Sequence, residues 1–422
     1  MTIKEKILNG AFDDAFATLY GDVDAARKRY EKAVDGFYEH FDNSGEIRLF
    51  SAPGRTEVGG NHTDHQHGCV FVGAVNLDVI AVVALNDDGV VRIKSEGFPQ
   101  DTVALDELEP SESEYGRSSA LIRGILASMK ENGYKIGGFD AYTTSNVLKG
   151  SGLSSSAAFE VLVGNIVSGL FNNGEVSAVD IAIMAQRAEN EFFGKPCGLL
   201  DQTASSVGGF TAIDFYDTKN PIIEKVDFDI SKYNMSLCIV DTGGNHADLT
   251  GEYAAIPAEC RRVAEFFGKE YLRDVNEEEF FSKIRELRPV CGDRAVLRTI
   301  HFFQENKRAQ LEKIALCRGD FEEFLSLVRE SGNSSFKYLQ NVYPSESPRE
   351  QGLSLALALA ETVIGRHGAC RVHGGGFAGT IQAFVPNDKL EELKTAMESV
   401  FGEGSFYKLS IRPVGGTEIV SK

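Results

Sequence analysis

No stretch of this 422-residue chain is apolar for long enough to span a bilayer. Positive charge is scarce as well: 43 Lys and Arg stand against 62 Asp and Glu, a net charge of −19. A surface of that sign repels phosphate backbones and anionic lipid, which excludes nucleic acid and membranes as partners and leaves small molecules. The seven cysteines (69, 197, 238, 260, 291, 317 and 370) are odd in number and never form a CxxC pair. That usage excludes a disulfide scaffold and suits reduced thiols in the cytoplasm. The opening MTIKEKILNGAFDDAFATLYGD is acidic and amphipathic and lacks the basic and apolar regions of a signal peptide, so a cytoplasmic location is expected. Repeats and low-complexity tracts are absent too. The remainder is ordinary for a globular protein, with 42% hydrophobic and 25% charged residues. Oligomeric state leaves no mark in the sequence.

The pattern from Ile47 to Ala84 predicts strand, glycine-rich turn and strand: IRLFSAPGR, VGGNHTDHQHG, CVFVGAVNLDVIAVVAL. Helical spacing follows over 118–129, a strand over 140–145, and helices over 157–170 and 179–193. Further on, 235–242 and 369–386 read as strands separated by helical stretches at 251–267, 294–316, 321–330 and 352–367. Strands and helices mixed without regular βαβ alternation predict an α+β fold. Two domains, 1–215 and 216–422, are expected, the boundary drawn loosely because nothing local marks it.

Three glycine-rich loops and one carboxylate carry the chemistry. The first runs Lys149-Gly150-Ser151-Gly152-Leu153-Ser154-Ser155-Ser156-Ala157-Ala158. Its glycines permit close approach of backbone to a ligand. Its serines open an apolar helix, whose unpaired N–H groups and dipole favour an anion such as phosphate. A serine N-cap on a core helix is the plainer reading. No GxxxxGK[ST] loop occurs, so phosphates held here are held without a P-loop lysine. The second loop, Gly374-Gly375-Gly376-Phe377-Ala378-Gly379, contains GxGxxG, but a strand pattern (TIQAFV) follows where a dinucleotide fold needs a helix. A hairpin tip is expected, either reaching a ligand by its backbone or merely turning tightly. The third, Ala52-Pro53-Gly54-Arg55 through Asn61-His62-Thr63-Asp64-His65, packs Arg, His and Asp into a turn suited to polyol hydroxyls. Its His-x-x-His spacing has no matching cluster elsewhere that would make a zinc site. Lastly, Glu189 is followed by Asp201 in PCGLLDQ; an aspartate in so apolar a turn needs a partner or a task, if only that of a helix cap.

In this order, GR…HTD, GxGLSSSA, PCGxxDQ and GGGFxG resemble the GHMP kinase superfamily, and within it the galactokinases. LRTIHFFQENKRAQLEKIALCRGD (297–320) and Glu252-Tyr253…Cys260-Arg261 extend the resemblance over most of the chain. It implies two α+β domains with the active site in the cleft between them, and Mg²⁺-dependent phosphorylation of a sugar's anomeric hydroxyl by ATP. It further implies that Gly150, Ser151, Gly152, Leu153, Ser154, Ser155 and Ser156 hold the nucleotide phosphates, and that Ser155 and Glu189 hold Mg²⁺, the choice of serine left open. Asp201 would be the catalytic carboxylate and Arg55 its cationic neighbour. Asn61, His62, Asp64, Gly198 and Tyr253 would bind the sugar, with Gly375 and Gly376 closing on it.

The chain departs from the galactokinase pattern where G-E-H-T-D-Y carries Asn61 for the glutamate and His65 for the tyrosine, and where Ser-His reads Ser331-Gly332. Asn61 no longer repels a C6 carboxylate, which makes galacturonate an alternative substrate to galactose. A non-catalytic sugar sensor would have lost part of GLSSSA, which is intact here. Mevalonate and homoserine kinases lack the PCGLLDQ and HTD features.

Overall fold

The two strand patterns flanking the HTD turn form a long antiparallel pair, β1 (Arg48–Gly59) and β2 (Cys69–Leu85). This pair is the spine of an eight-stranded sheet ordered β12 (Thr417–Ile419), β1, β2, β5 (Phe139–Ser145), β3 (Val90–Ser95), β4 (Gln100–Ala104). β6 (Phe210–Asp214) and β7 (Ile222–Val226) add to the first half of β2. Among the described residues, only β3 and β5 pair in parallel. A second, four-stranded sheet runs β11 (Phe406–Leu409), β8 (Met235–Asp241), β10 (Thr380–Pro386), β9 (Ala369–Val372). The computed structural model describes residues 1–147, 152–244 and 249–421.

β1 and β2 are buried almost throughout because both faces of the sheet are covered. The helices Ser155–Asn172 and Asp293–Cys317 pack on one face, contributing to a core around Phe71, Val161 and Ala309. On the other, residues 3–40 form three helices that cover Leu49, Ile80 and Val82 with a core of their own, including Tyr30, Phe37 and Phe16. β9 and β10 pair antiparallel around the glycine loop, which is therefore a hairpin tip and not a dinucleotide turn. Among the described residues, no helix is long and apolar enough to cross a membrane.

β1 changes register between Pro53 and Arg55 and again between Glu57 and Gly59. Such irregularities bend a strand and re-aim its side chains, and both lie beside the candidate site. Glycine at 332 also has a structural reason. The helix Phe321–Ser334 lies so close to β9 that a Cβ there would stand 3.0 Å from the Cys370 carbonyl oxygen, leaving no room for the histidine of the resemblance.

Candidate active site

Arg55 leaves the first irregularity of β1 and reaches the first turn of the helix Leu200–Val207. There its guanidinium grips Asp201, with Nε at 2.7 Å and Nη2 at 2.6 Å from Oδ1. Nη1 donates to the Gly152 carbonyl, and the Arg55 amide donates to the Leu153 carbonyl at 3.1 Å. A Cβ on Gly54 would stand 2.8 Å from that Leu153 oxygen, so glycine is required for the serine loop to dock on β1. Ser154 occupies the N-cap position of the helix Ser155–Asn172 but makes no cap. Its φ of 56° is left-handed, and its hydroxyl donates to Asp201 Oδ2. A non-glycine residue in that region is strained by about 1–3 kcal/mol, so the local rule for a capping serine yields to the contact with Asp201. Nor does Asp201 cap its own helix: its oxygens are taken by Arg55 and Ser154. Burial pushes the Asp201 carboxyl up, and the Arg55 charge with the two hydrogen-bond donors overrides it, holding the group below the usual carboxylate range.

Behind this cluster, the helix Ala178–Arg187 widens into a turn where the Phe193 amide donates to the Ala188 carbonyl, five residues back. Such bulges recur at functional sites, and this one carries Glu189, 2% exposed. Glu189 Oε2 accepts from Gln202 Nε2 (2.8 Å); Oε1 accepts from Lys195 Nζ (2.7 Å) and Ser156 Oγ (3.3 Å). Ser156, not Ser155, thus supplies the hydroxyl beside Glu189. Gln202 also donates to Glu160 at 3.1 Å. Full burial first, then the Glu189 charge, push the Glu160 carboxyl well above the usual carboxylate range. Gly150 and Ser151 lie outside the described residues. Gly152 brings its carbonyl to Arg55, and Leu153 turns its side chain into the core.

The HTD turn forms the other wall. His62 has a left-handed φ of 58° and sets Nε2 2.9 Å from the Gly375 carbonyl; burial lowers its pKa, so the ring is neutral and Nε2–H donates. Tyr253 Oη donates to the Gly376 carbonyl at 2.8 Å, and its ring meets Phe377 edge-on. A Cβ on Gly375 would lie 2.6 Å from the Tyr253 ring, and Gly376 has φ 79°, so neither position accepts a side chain. Asp64 stands against Gly198, where an added Cβ would come within 2.1 Å of its Oδ2. Burial first, then the charges of Glu57 and Asp201, raise its pKa to about 6. His65, where the resemblance has tyrosine, is driven by burial to about 3, and both ring nitrogens are buried without partners.

Asn61 stands differently from its expected place in the sugar pocket. It is 0% exposed, its Nδ2 donates to Glu57 Oε1 and the Gly374 carbonyl (2.8 Å each), and its Oδ1 accepts from Asn341 (2.9 Å) and Ser335 (3.2 Å). An amide so engaged braces the loop. Sequence reasoning passed over its partners. Arg371, buried in β9, donates to Glu57 (2.8 Å) and the Val58 carbonyl. Glu305 accepts from the Gly60 amide at 3.1 Å and is held at about 2, Arg308 and His301 outweighing its burial. A charged residue inside the apolar strand ACRV was the available signal.

The structure therefore draws Arg55, Asp201 and Ser154 together, sets Ser156 beside Glu189, and brings His62, Asp64 and Tyr253 against Gly375, Gly198 and Gly376 respectively. The galactokinase galactose-binding signature matches residues 35–85, and the GHMP kinases N terminal domain matches residues 120–209. A galactokinase of Glaesserella parasuis serovar 5 (strain SH0165) is 32% identical over 362 residues, covering 85% of this chain and 90% of that protein. The chain belongs to the galactokinase family. The crystal structure of Lactococcus lactis galactokinase complexed with galactose superposes with a TM-score of 0.77 at 26% identity, over 91% of this chain and 98% of that one. The mevalonate kinase of Methanococcus jannaschii shares the fold at 15% identity, with a TM-score of 0.62 over 87% and 99% of the two chains. The architecture is thus the two-domain α+β fold of the GHMP kinases.

Proposed function

We propose that this protein transfers the γ-phosphoryl group of ATP to the anomeric hydroxyl of D-galactose, giving galactose 1-phosphate and ADP. The observation that carries this reading is Asp201, in the first turn of the helix Leu200–Val207, clamped between Arg55 and the Ser154 hydroxyl that precedes the helix Ser155–Asn172. His62, Asp64, Gly198 and Tyr253, with the carbonyl-bearing tip Gly375–Gly376, hold the sugar hydroxyls. The first turn of the helix Ser155–Asn172 offers backbone N–H groups and hydroxyls to the phosphates. Asp201 orients the anomeric O–H and accepts its proton; the new O–P bond forms as the bond to the β-phosphate oxygen breaks. Arg55 stabilises the oxygen as charge develops on it. The division near residue 215 belongs to this reading, with the serine loop and HTD turn before it and Tyr253 and the glycine tip after it.

Mg²⁺ fits the residues present. Glu189 and the hydroxyl 3.3 Å from it form an oxygen donor set at the helix start, as a hard cation that keeps several waters requires. Glu189 with Ser156 or Ser155 would hold the ion, which when bound neutralises phosphate charge. A cytoplasmic location is supported by seven free thiols, five of them buried.

ADP release with Mg·ATP across galactose, galacturonate, N-acetylgalactosamine, arabinose and glucose tests the reading. Turnover on galactose with the others poor is expected, and turnover on none of them sinks it. Galacturonate preferred over galactose would show that the change at Asn61 alters the pocket despite the side chain's burial.

The pKa of Asp64 gives a pH prediction. Its ionised form accepts from sugar hydroxyls on both oxygens and more strongly than the neutral acid, and it gains a proton as pH falls through about 6. The KM for galactose is expected to rise about tenfold between pH 7 and pH 5. The kcat should change little, since Asp201 stays ionised. Steady-state rates at fixed saturating ATP check this, and a flat KM would remove Asp64 from direct sugar contact.

A further inference from the structure

Lys195 belongs to none of the motifs, yet its ammonium meets the same Glu189 oxygen as the Ser156 hydroxyl in the first turn of the helix Ser155–Asn172. It follows Gly194, whose φ of 78° turns the chain back, and its amide donates to the Glu189 carbonyl at 3.0 Å. The backbone of Lys195 is thus fastened to the widened turn that carries Glu189. Its side chain is 60% exposed, and the ammonium rests 2.7 Å from Glu189 Oε1. That same oxygen lies 3.3 Å from the Ser156 hydroxyl, so Lys195 Nζ and the first turn of the helix Ser155–Asn172 converge on one atom.

The electrostatics of this corner are unbalanced toward the anion. The chain carries −19 overall and lacks a P-loop lysine, so a polyphosphate needs a local cation. Arg55, another cation among the described residues here, spends Nε and Nη2 on Asp201 and Nη1 on the Gly152 carbonyl. Lys195 is differently placed: its ammonium has three donors, one of them given to Glu189, and its stem is largely in solvent. The oxygen it holds is one that a metal ion on Glu189 would take, and two cations on one carboxylate oxygen repel.

Resting on the kinase reading above, we infer that Lys195 is a nucleotide-binding residue: it neutralises Glu189 in the empty cleft and transfers its ammonium to the β- and γ-phosphate oxygens when the nucleotide enters. Glu189 is thereby kept from repelling the incoming polyphosphate.

The test is calorimetric binding of ATP to the full chain, in EDTA and with Mg²⁺, for wild type, Lys195→Met and Lys195→Arg. Losing a charge-assisted hydrogen bond is expected to weaken metal-free ATP binding by about tenfold or more in Lys195→Met, with Lys195→Arg recovering most of it. The KM for ATP should rise in parallel while the KM for the sugar stays unchanged. ATP affinity unaltered in Lys195→Met, accompanied by a lower Mg²⁺ requirement, overturns the inference and makes the lysine only a stand-in for the metal. A loss that Lys195→Arg does not recover overturns it too, in favour of packing. Thermal melting of each variant controls for folding. Failure of the wild type to bind ATP at all would instead remove the kinase reading, and this inference with it.

Discussion

Asp201→Ala is expected to lower kcat by about 10²–10⁴-fold while leaving a folded protein that still binds ATP. The reasoning follows from position. Asp201 has both oxygens engaged, one by Arg55 and one by Ser154, and among the described residues no other carboxylate is held by this pair. Its charged form is favoured, which makes it a weak base but a firm anchor for a donor hydroxyl. Asp201→Asn separates these two roles. An amide keeps an acceptor for the sugar O–H but cannot take its proton. If orientation dominates, the asparagine variant retains measurably more activity than the alanine variant; if proton transfer dominates, the two are equally inert. ADP release at saturating galactose measures both, with calorimetric ATP binding as the control for folding. Near-normal turnover in Asp201→Ala would mean the chemistry has been assigned to the wrong carboxylate.

The second large effect is on stability. Arg371 is completely buried in β9 of the smaller sheet, and it donates to Glu57 and to the Val58 carbonyl on β1 of the larger one. Beside it, Gln382 on β10 donates to the Glu57 carbonyl at 3.0 Å, and His373 meets Thr56 at 3.0 Å. The two sheets are therefore joined by polar contacts, and in their midst lies one buried charge pair. Removing one member of such a pair leaves the other charged and unpaired, at a cost of about 3–5 kcal/mol. Arg371→Met should destabilise the protein by that amount in urea unfolding. The double variant Arg371→Met/Glu57→Gln should recover much of the loss, because no lone charge remains. A single-variant loss below about 1 kcal/mol would show that the pair is not what holds the sheets together.

Much of this architecture was legible in the sequence because its signals are local. The apolar run after GLSSSA marks the helix Ser155–Asn172, and the glycines of GGGFAG between two strand patterns mark the β9–β10 turn. The pairing of Arg55 with Asp201 followed from a resemblance in motif order, since 146 residues separate the two. What stayed hidden depends on tertiary neighbours. Asn61 read as a pocket residue because its position in the motif is a sugar-binding one; its burial is decided by Asn341 and Ser335, about 280 residues further on. Ser154 read as a helix cap, and the competing claim on its hydroxyl came from Asp201. Lys195 has no signal in the sequence, because its acceptor, six residues earlier, faces it only through the widened turn. The hairpins β3–β4 and β6–β7 and the three-residue β12 have too little periodicity to stand out.

The last of these short strands bears on how the protein is made. β12 closes the edge of β1 with Leu49 opposite Ile419, and Arg48 donates to Glu418 at 2.6 Å. A ribosome that has finished the strands of the larger sheet up to β7 has still to synthesise about 190 residues before that edge can be covered. Through this interval the nascent chain presents the open side of a long apolar strand, a template for pairing with another copy. Production of this protein should therefore be limited by the time spent incomplete rather than by the stability of the finished fold, and slower, cooler synthesis with chaperones present should raise the soluble yield more than any stabilising substitution.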